Sequence, residues 1–392
     1  MRNRMVGTMT TIGTMTTKPE PCGLLLVDKP QGVTSFDMVA AVRGTLHIKK
    51  VGHAGTLDPM ATGLLVIAFG RATRLLSAIV EHDKTYEATI RLGLSSTTDD
   101  AEGEIRRYDA AEGVRALNLA TDLQQARQQV EDAIGRDFLG TIEQVPNTFS
   151  AIKINGKRAY DLAREGNDVE LTARKVVIGE FTVRDVRQGY VGMANATCPL
   201  SESADADHAE PVLDVDVRVS CSSGTYIRAL ARDLGAKLGV GGYLTRLRRT
   251  RVGRYALPDD ASGRVDAKVD RERVITAHTE RKTFTNREGE TITRNRAVLD
   301  TPYGQGAERT AWVLHHALSM LEAAQGAMPT VAISGEEAVE LRFGRRIERV
   351  VSQDTVAYVP ADANERSEAD VVAIIGRANA HQAKPITVFP VQ

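Results

Sequence analysis

Cysteine is scarce in this chain. Only Cys22, Cys198 and Cys221 occur among 392 residues, and no two are spaced Cys-x-x-Cys. An odd number without that spacing argues against a disulfide framework or a zinc site and for a reducing cytoplasm. Long apolar runs are also missing, which excludes a membrane span. Residues 1–17 alternate Thr, Met and Gly with no apolar core, so we expect no secretory signal. No Gly-x-x-x-x-Gly-Lys-Ser/Thr, His-Glu-x-x-His or Gly-x-Gly-x-x-Gly is found, which removes a P-loop, a common metal motif and a dinucleotide fingerprint. Net charge is nearly absent too, with 50 basic against 51 acidic residues. Hydrophobic residues at 42% and charged ones at 26% are ordinary for a globular protein long enough for two or three domains.

What is present is concentrated. Gly52-His53-Ala54-Gly55-Thr56-Leu57-Asp58-Pro59-Met60-Ala61-Thr62-Gly63 sets a lone acid in a glycine-rich turn, just before the apolar run Leu64 to Phe69. Pro59 fixes its own φ and pushes Asp58 away from helical backbone. Two readings fit: a carboxylate held on a rigid loop for chemistry, or an Asp that caps its own turn. Residues 228–254 carry Arg228, Arg232, Lys237, Arg246, Arg248, Arg249, Arg251 and Arg254 against one acid, Asp233. Such a cluster can face phosphates even in a neutral chain.

Periodicity supplies the elements. Leu24 to Val27 reads as a buried strand, and Thr34 or Ser35 as the cap of a helix carrying Phe36, Val39, Ala40 and Leu46. Tyr86, Ala88, Ile90 and Leu92 alternate with polar residues, as do Val215, Val217 and Val219. Gly93 to Gly103 reads as an acidic loop holding Asp99 and Asp100, and Leu123 to Ile134 as a helix. A helix from about Tyr226 places Ile227, Leu230, Leu234 and Leu238 on one face. No regular βαβ rhythm is visible, so we expect an α+β fold with a mixed, largely antiparallel sheet and flanking helices. Residues 258–308 are polar and poor in large apolar side chains, which predicts a disordered insert. Its replacement by a short Gly/Ser linker over 262–303 is then expected to leave melting temperature and activity nearly unchanged. Residues 309–326 read as one amphipathic helix, and short strand-like runs after Pro329 as a small β-rich terminal domain.

The loop around Asp58 resembles the catalytic loop of the TruB family of tRNA pseudouridine synthases. Four further segments match that family in order: Asp28 to Ser35, Lys84-Thr85-Tyr86, Gln144 to Gly166, and Ser223 to Arg228. Gln144 to Gly166 departs from many relatives at Asn147 and Phe149, where they carry Pro and Tyr. The resemblance implies the pseudouridine synthase fold over residues 23–257, after a disordered tail over 1–22. It also implies a PUA-like domain within 309–392. It implies an isomerase that converts uridine to pseudouridine in the T-arm of tRNA, at tRNA position 55, on a flipped-out base. Asp58 matches the essential acid, Arg228 the arginine that pairs with it, and Tyr86 the ring that stacks on the uracil. His53, Lys29, Lys84, Tyr226, Leu247, Lys153 and Arg158 make up the implied binding set. Within it, Lys29 buttresses the loop, Tyr226 and Leu247 line the uracil pocket, and Lys153 and Arg158 meet phosphates. Tyr226 and Leu247 also read simply as core residues, and Arg228 as a phosphate contact. Isomerisation within one nucleoside needs no cofactor, and none is expected. The partner implied is the tRNA T-stem-loop, with no membrane, no protein partner and a monomeric enzyme. An alternative is a tRNA-binding chaperone whose role does not need catalysis.

Overall fold

The computed structural model describes residues 20–108, 122–147, 153–154, 157–158, 171–192, 209–260, 273–285, 288–362 and 368–391. The expected N-terminal tail lies almost wholly outside these residues. So does most of the segment from Gln144 to Gly166.

In chain order the strands before the terminal unit are β1 (Gly23–Lys29), β2 (Val51–Ala54), β3 (Thr62–Phe69), β4 (Lys84–Leu92), β5 (Leu94–Ser96), β6 (Ile105–Arg107), β7 (Gly140–Gln144), β8 (Lys153–Ile154), β9 (Lys157–Arg158), β10 (Arg174–Gly192), β11 (Ala209–Cys221), β12 (Gly242–Val252), β13 (Tyr255–Ala256), β14 (Val274–Thr285) and β15 (Thr291–Leu299). Eleven of them form one sheet in the order β15-β14-β1-β3-β12-β4-β11-β10-β7, with β2 beside β3 and β13 beside β12. Pairing is antiparallel except for β1 with β14 and β12 with β3.

The central strands read as continuous apolar runs because both their faces are covered. In β3, Leu65, Ile67 and Phe69 enter one core, while Leu64, Val66 and Ala68 enter the other. β1 divides in the same way, Leu25 and Val27 against Leu24 and Leu26. β4 keeps its alternation: Tyr86, Ala88, Ile90 and Leu92 face the first core. Its opposite side carries Arg91, whose Nε and Nη2 each reach an Asp214 oxygen on β11 at 2.7 Å. Arg91 and Asp214 are direct cross-strand partners, so this buried pair also fixes register.

Helices cover the first face. Ser35–Leu46 is capped by Thr34, with Asp37 completing a capping box, and Ile227–Leu238 buries Ile227, Leu230 and Leu234. Leu123–Asp137 is capped by Asp122 and buries Ala126, Val130, Ala133 and Ile134. No helix among the described residues is long and apolar enough to cross a membrane.

Two expectations are corrected. The strands Val274–Thr285 and Thr291–Leu299 are not disordered: β14 and β15 pair and extend the main sheet beside β1, while residues 261–272 of the expected insert lie outside the described residues. Composition averaged over 258–308 hides three anchors, Ile275, Ala297 and Leu299, all buried at the hairpin's base. Replacing residues 277–299 by a Gly/Ser linker therefore removes Ala297 and Leu299 from the first core. Thermal denaturation is expected to show a loss of at least about 3 kcal/mol, the scale of deleting one well-packed Leu side chain. The expected single helix over 309–326 is two, Ala307–His315 and Met320–Ala327. Between them Leu318 pairs with Leu24 through both backbone groups, and Ser319 starts the second helix with its own capping box.

The terminal unit holds a four-stranded sheet of β16 (Thr330–Ala332), β17 (Thr355–Val359), β18 (Asp370–Arg377) and β19 (Ala383–Val388), with helix Gly335–Arg342 packed on it. Val356, Val371, Ile374 and Phe389 share a core with Leu24, Leu64 and Tyr255, so the unit is joined to the main sheet by apolar packing.

Candidate active site

A cavity of about 290 Å³ opens where the β2–β3 loop, β4, β12 and the start of helix Ile227–Leu238 meet. Asp58, Lys84, Tyr86, Tyr226, Arg228, Leu247 and Arg249 are among its lining residues. Six of the ten residues singled out from the sequence thus converge here.

The loop carrying Asp58 is held from both sides. Ser35 Oγ donates to the Leu57 carbonyl at 3.1 Å and accepts from the Leu57 amide at 2.8 Å. Thr34 takes the capping role, which leaves Ser35 available for this clasp. On the other side Gly32 N donates to Pro59 O at 2.8 Å, and Lys29 Nζ reaches Val33 O at 2.7 Å and Pro59 O at 3.4 Å. The Ala61 amide closes the turn onto Asp58 O. Two glycines let β12 approach. A Cβ at Gly63, where φ is +102°, would sit 2.3 Å from Arg249 O, and one at Gly55 would crowd the Arg249 guanidinium.

Arg228 is buried, with only 6% of its side chain exposed, at the second position of its helix. A cation there opposes the helix dipole and requires anions nearby. It has two. Its Nε lies 2.9 Å from Asp58 Oδ2, and its Nη1 3.3 Å from Asp100 Oδ2. Nη1 also donates to Thr98 O at 3.0 Å. Asp100 is itself 3% exposed and accepts from Thr98 Oγ1 at 2.6 Å and from the Glu102 amide at 3.0 Å. Asp58 is the open member of this cluster, with a third of its side chain exposed to the cavity. Burial pushes the Asp58 carboxyl up; Arg228 pulls it down, and the Asp100 carboxylate adds to the rise.

Tyr86 lies on β4 with 7% exposure, its ring toward Leu247 and the cavity. Burial pushes its phenol up to about 12, so it stays neutral and serves as a stacking face or a donor. Lys84 Nζ donates to Val80 O and His82 O, and burial with Arg249 close by brings it down to about 8. Burial likewise brings Lys29 down to about 8. Arg249 donates to Leu64 O at 2.8 Å and Gly55 O at 3.1 Å, binding β12 to the loop. Gln144 holds Tyr226 by two bonds, Nε2 to Tyr226 O at 3.0 Å and Oε1 from Tyr226 N at 2.9 Å.

The remaining candidates stand elsewhere. Lys29 is buried behind the loop. His53 is on β2, opposite Ile67, and is not among the lining residues. Lys153 and Arg158 are cross-strand partners in a two-stranded ladder, and their side chains lie outside the described residues.

Most of the arginine cluster does not face outward as expected. Arg228 meets Asp58 and Asp100, Arg232 meets Asp99 and Asp233, and Arg248 grips Asp28 with both terminal nitrogens and Asp259 with Nε. Arg249 and Arg251 bond backbone and hydroxyl oxygens inside the sheet. Asp28, Asp58, Asp99 and Asp100 come from distant parts of the chain, so a local charge count misses them. Asp100, Thr98, Ser35 and Arg249 were all missed as site residues. In the sequence Asp100 reads only as an acid of the Gly93–Gly103 loop, Ser35 as a candidate helix cap and Arg249 as one of the basic cluster.

Solved structures of similar fold include a crystal structure of a Cbf5-Nop10-Gar1 complex, 20% identical with a TM-score of 0.53 over 94% of this chain and 84% of that one. A second is an H/ACA RNP bound to a substrate RNA containing 2'-deoxyuridine, 19% identical with a TM-score of 0.52 over 94% of this chain and 85% of that one. The large mixed sheet is thus a pseudouridine synthase fold. The family described as TruB family pseudouridylate synthase (N terminal domain) matches residues 43–227, and the tRNA pseudouridylate synthase B C-terminal domain matches 228–270. A protein of Bifidobacterium longum named tRNA pseudouridine synthase B is 65% identical over 388 residues, covering 94% of this chain and 98% of that one. One of the same name from an Arthrobacter species is 41% identical over 370 residues, covering 94% and 96%. The chain belongs to the TruB family of pseudouridylate synthases, and it is an isomerase.

Proposed function

We propose that this enzyme converts a uridine of the tRNA T-arm, at position 55, to pseudouridine in the cytoplasm, as a monomer. The observation that carries the reading is the Asp58–Arg228 pair at 2.9 Å on the wall of a cavity of about 290 Å³ that Tyr86 and Leu247 also line. The reaction detaches uracil from ribose, turns it and rejoins it through carbon. It needs an oriented carboxylate, a face on which the base can turn and a site that excludes water. Arg228 fixes the direction of Asp58 and favours its ionised form. Tyr86 offers the stacking face, and Leu247 with Ile227 supplies an apolar floor. A neutral phenol suits stacking. The terminal four-stranded unit acts, in this reading, as a PUA-like platform for RNA outside the T-arm.

The test is tritium release from [5-³H]uridine-labelled RNA. A hairpin of T-stem and T-loop alone is expected to react, and a tRNA with cytidine at position 55 to release nothing. A hairpin that stays inert beside a reactive full tRNA would move recognition outside the T-arm and sink this substrate assignment.

A further inference from the structure

The β14–β15 hairpin continues far beyond the packing that anchors it. From Thr279 to Thr285 it runs about 20 Å at 3.4 Å per residue. Over that length the paired side chains are mostly exposed on both faces. A two-stranded ribbon with no apolar face is marginal alone. Its charges are arranged against its own stability: Lys282 stands directly opposite Arg294, and Arg281 is the next residue along. Like charges directly opposite are unfavourable in an antiparallel pair. Arg296 is matched by Glu280 and Arg294 lies over the Phe284 ring, but among the described residues Arg281 and Lys282 form no ion pair. The acids Glu288 and Glu290 are confined to the tip.

The ribbon is also tied to the candidate active site. Thr279 Oγ1 donates to Gln31 O at 2.6 Å and Asn295 Nδ2 to Gly32 O at 2.9 Å. Gly32 N in turn holds Pro59, the residue after Asp58. Arg281 shares the face of Thr279, two residues farther out, since alternate residues share a face.

We propose that the ribbon is a second grip on the RNA substrate: Arg281, Lys282 and Arg294 bind backbone phosphates of the tRNA flanking the reacting loop. This rests on the tRNA reading above. A polyanion relieves the repulsion between Lys282 and Arg294 on one face of the ribbon and offers a partner to Arg281 on the other, which forms no ion pair among the described residues. The hydrogen bonds at the base fix this grip relative to Asp58.

The test combines the triple variant Arg281→Gln/Lys282→Gln/Arg294→Gln in the full chain with an unmodified tRNA transcript. Equilibrium binding and tritium release are measured separately. We expect Kd and KM to rise about tenfold, kcat at saturating RNA to change less than threefold, and melting temperature to hold. The slope of log affinity against log salt should become shallower by about two, at 0.7 to 0.9 per lost phosphate contact. The charge-keeping variant Arg281→Lys/Arg294→Lys should retain affinity. Kd and salt slope unchanged in the Gln variant would overturn the proposal, as would a fall in kcat with unchanged Kd, which would make the ribbon only a brace. Absence of tritium release by the unsubstituted enzyme would instead overturn the substrate reading, while the binding arm still decides whether the ribbon holds RNA.

Discussion

Asp58→Asn is expected to abolish turnover while leaving fold and RNA affinity intact. Tritium release should drop by about four orders of magnitude or more, the scale of losing a group on which the chemistry depends. The fold should survive for a specific reason. The folded protein raises the Asp58 carboxyl, with burial as the largest cause. A group with a raised acid constant favours folding in its neutral form and costs stability as pH rises through that constant. Asparagine is neutral at every pH, so it escapes this cost. Arg228 is not stranded, because Asp100 and Thr98 O remain on its Nη1. Thermal melting within a degree or two of the unsubstituted enzyme, together with unchanged tRNA binding, would isolate the loss to chemistry. Appreciable tritium release from the variant would remove Asp58 from its role.

How far the sequence revealed this site depends on the range over which each interaction acts. The loop at Asp58 was legible because its glycines and proline act on adjacent backbone. The helix starting near Tyr226 was legible because its apolar residues repeat at 3.6. The alternation in β4 located Tyr86 on the face that lines the cavity. Asp100 was not legible, since its partner Arg228 is 128 residues away and nothing local joins them. The same limit made 228–254 look like an open basic patch, when Asp28, Asp58, Asp99 and Asp259 fold back onto it. The β14–β15 hairpin failed for a different reason. Its order comes from a ladder on β1 and a few buried side chains at one end, a pattern that average composition dilutes. The break after His315 is set by the pairing of Leu318 with Leu24, which no helical periodicity can announce.

Arg228→Met separates a positioning role from a phosphate contact. Turnover should fall about a hundred- to a thousandfold, the range for losing one oriented stabilising group. RNA affinity should change little, because the guanidinium is buried and committed to Asp58, Asp100 and Thr98. The pH profile carries the decisive sign. If the reaction needs Asp58 ionised, the rate falls as pH drops through its acid constant, above the ordinary value of about 3.9. Arg228 is the main influence pulling that constant down, while burial and Asp100 push it up. Removing the arginine therefore moves the acid limb of kcat/KM to higher pH. Stability should fall as well, by about 3 kcal/mol or more, since Asp100 is left buried without its cation. Arg228→Lys restores the charge without the geometry that reaches both acids, so it should recover the acid limb more fully than the rate. An acid limb that stays in place in Arg228→Met, with weakened tRNA binding and normal kcat at saturating RNA, would show that the arginine serves the RNA backbone and not Asp58.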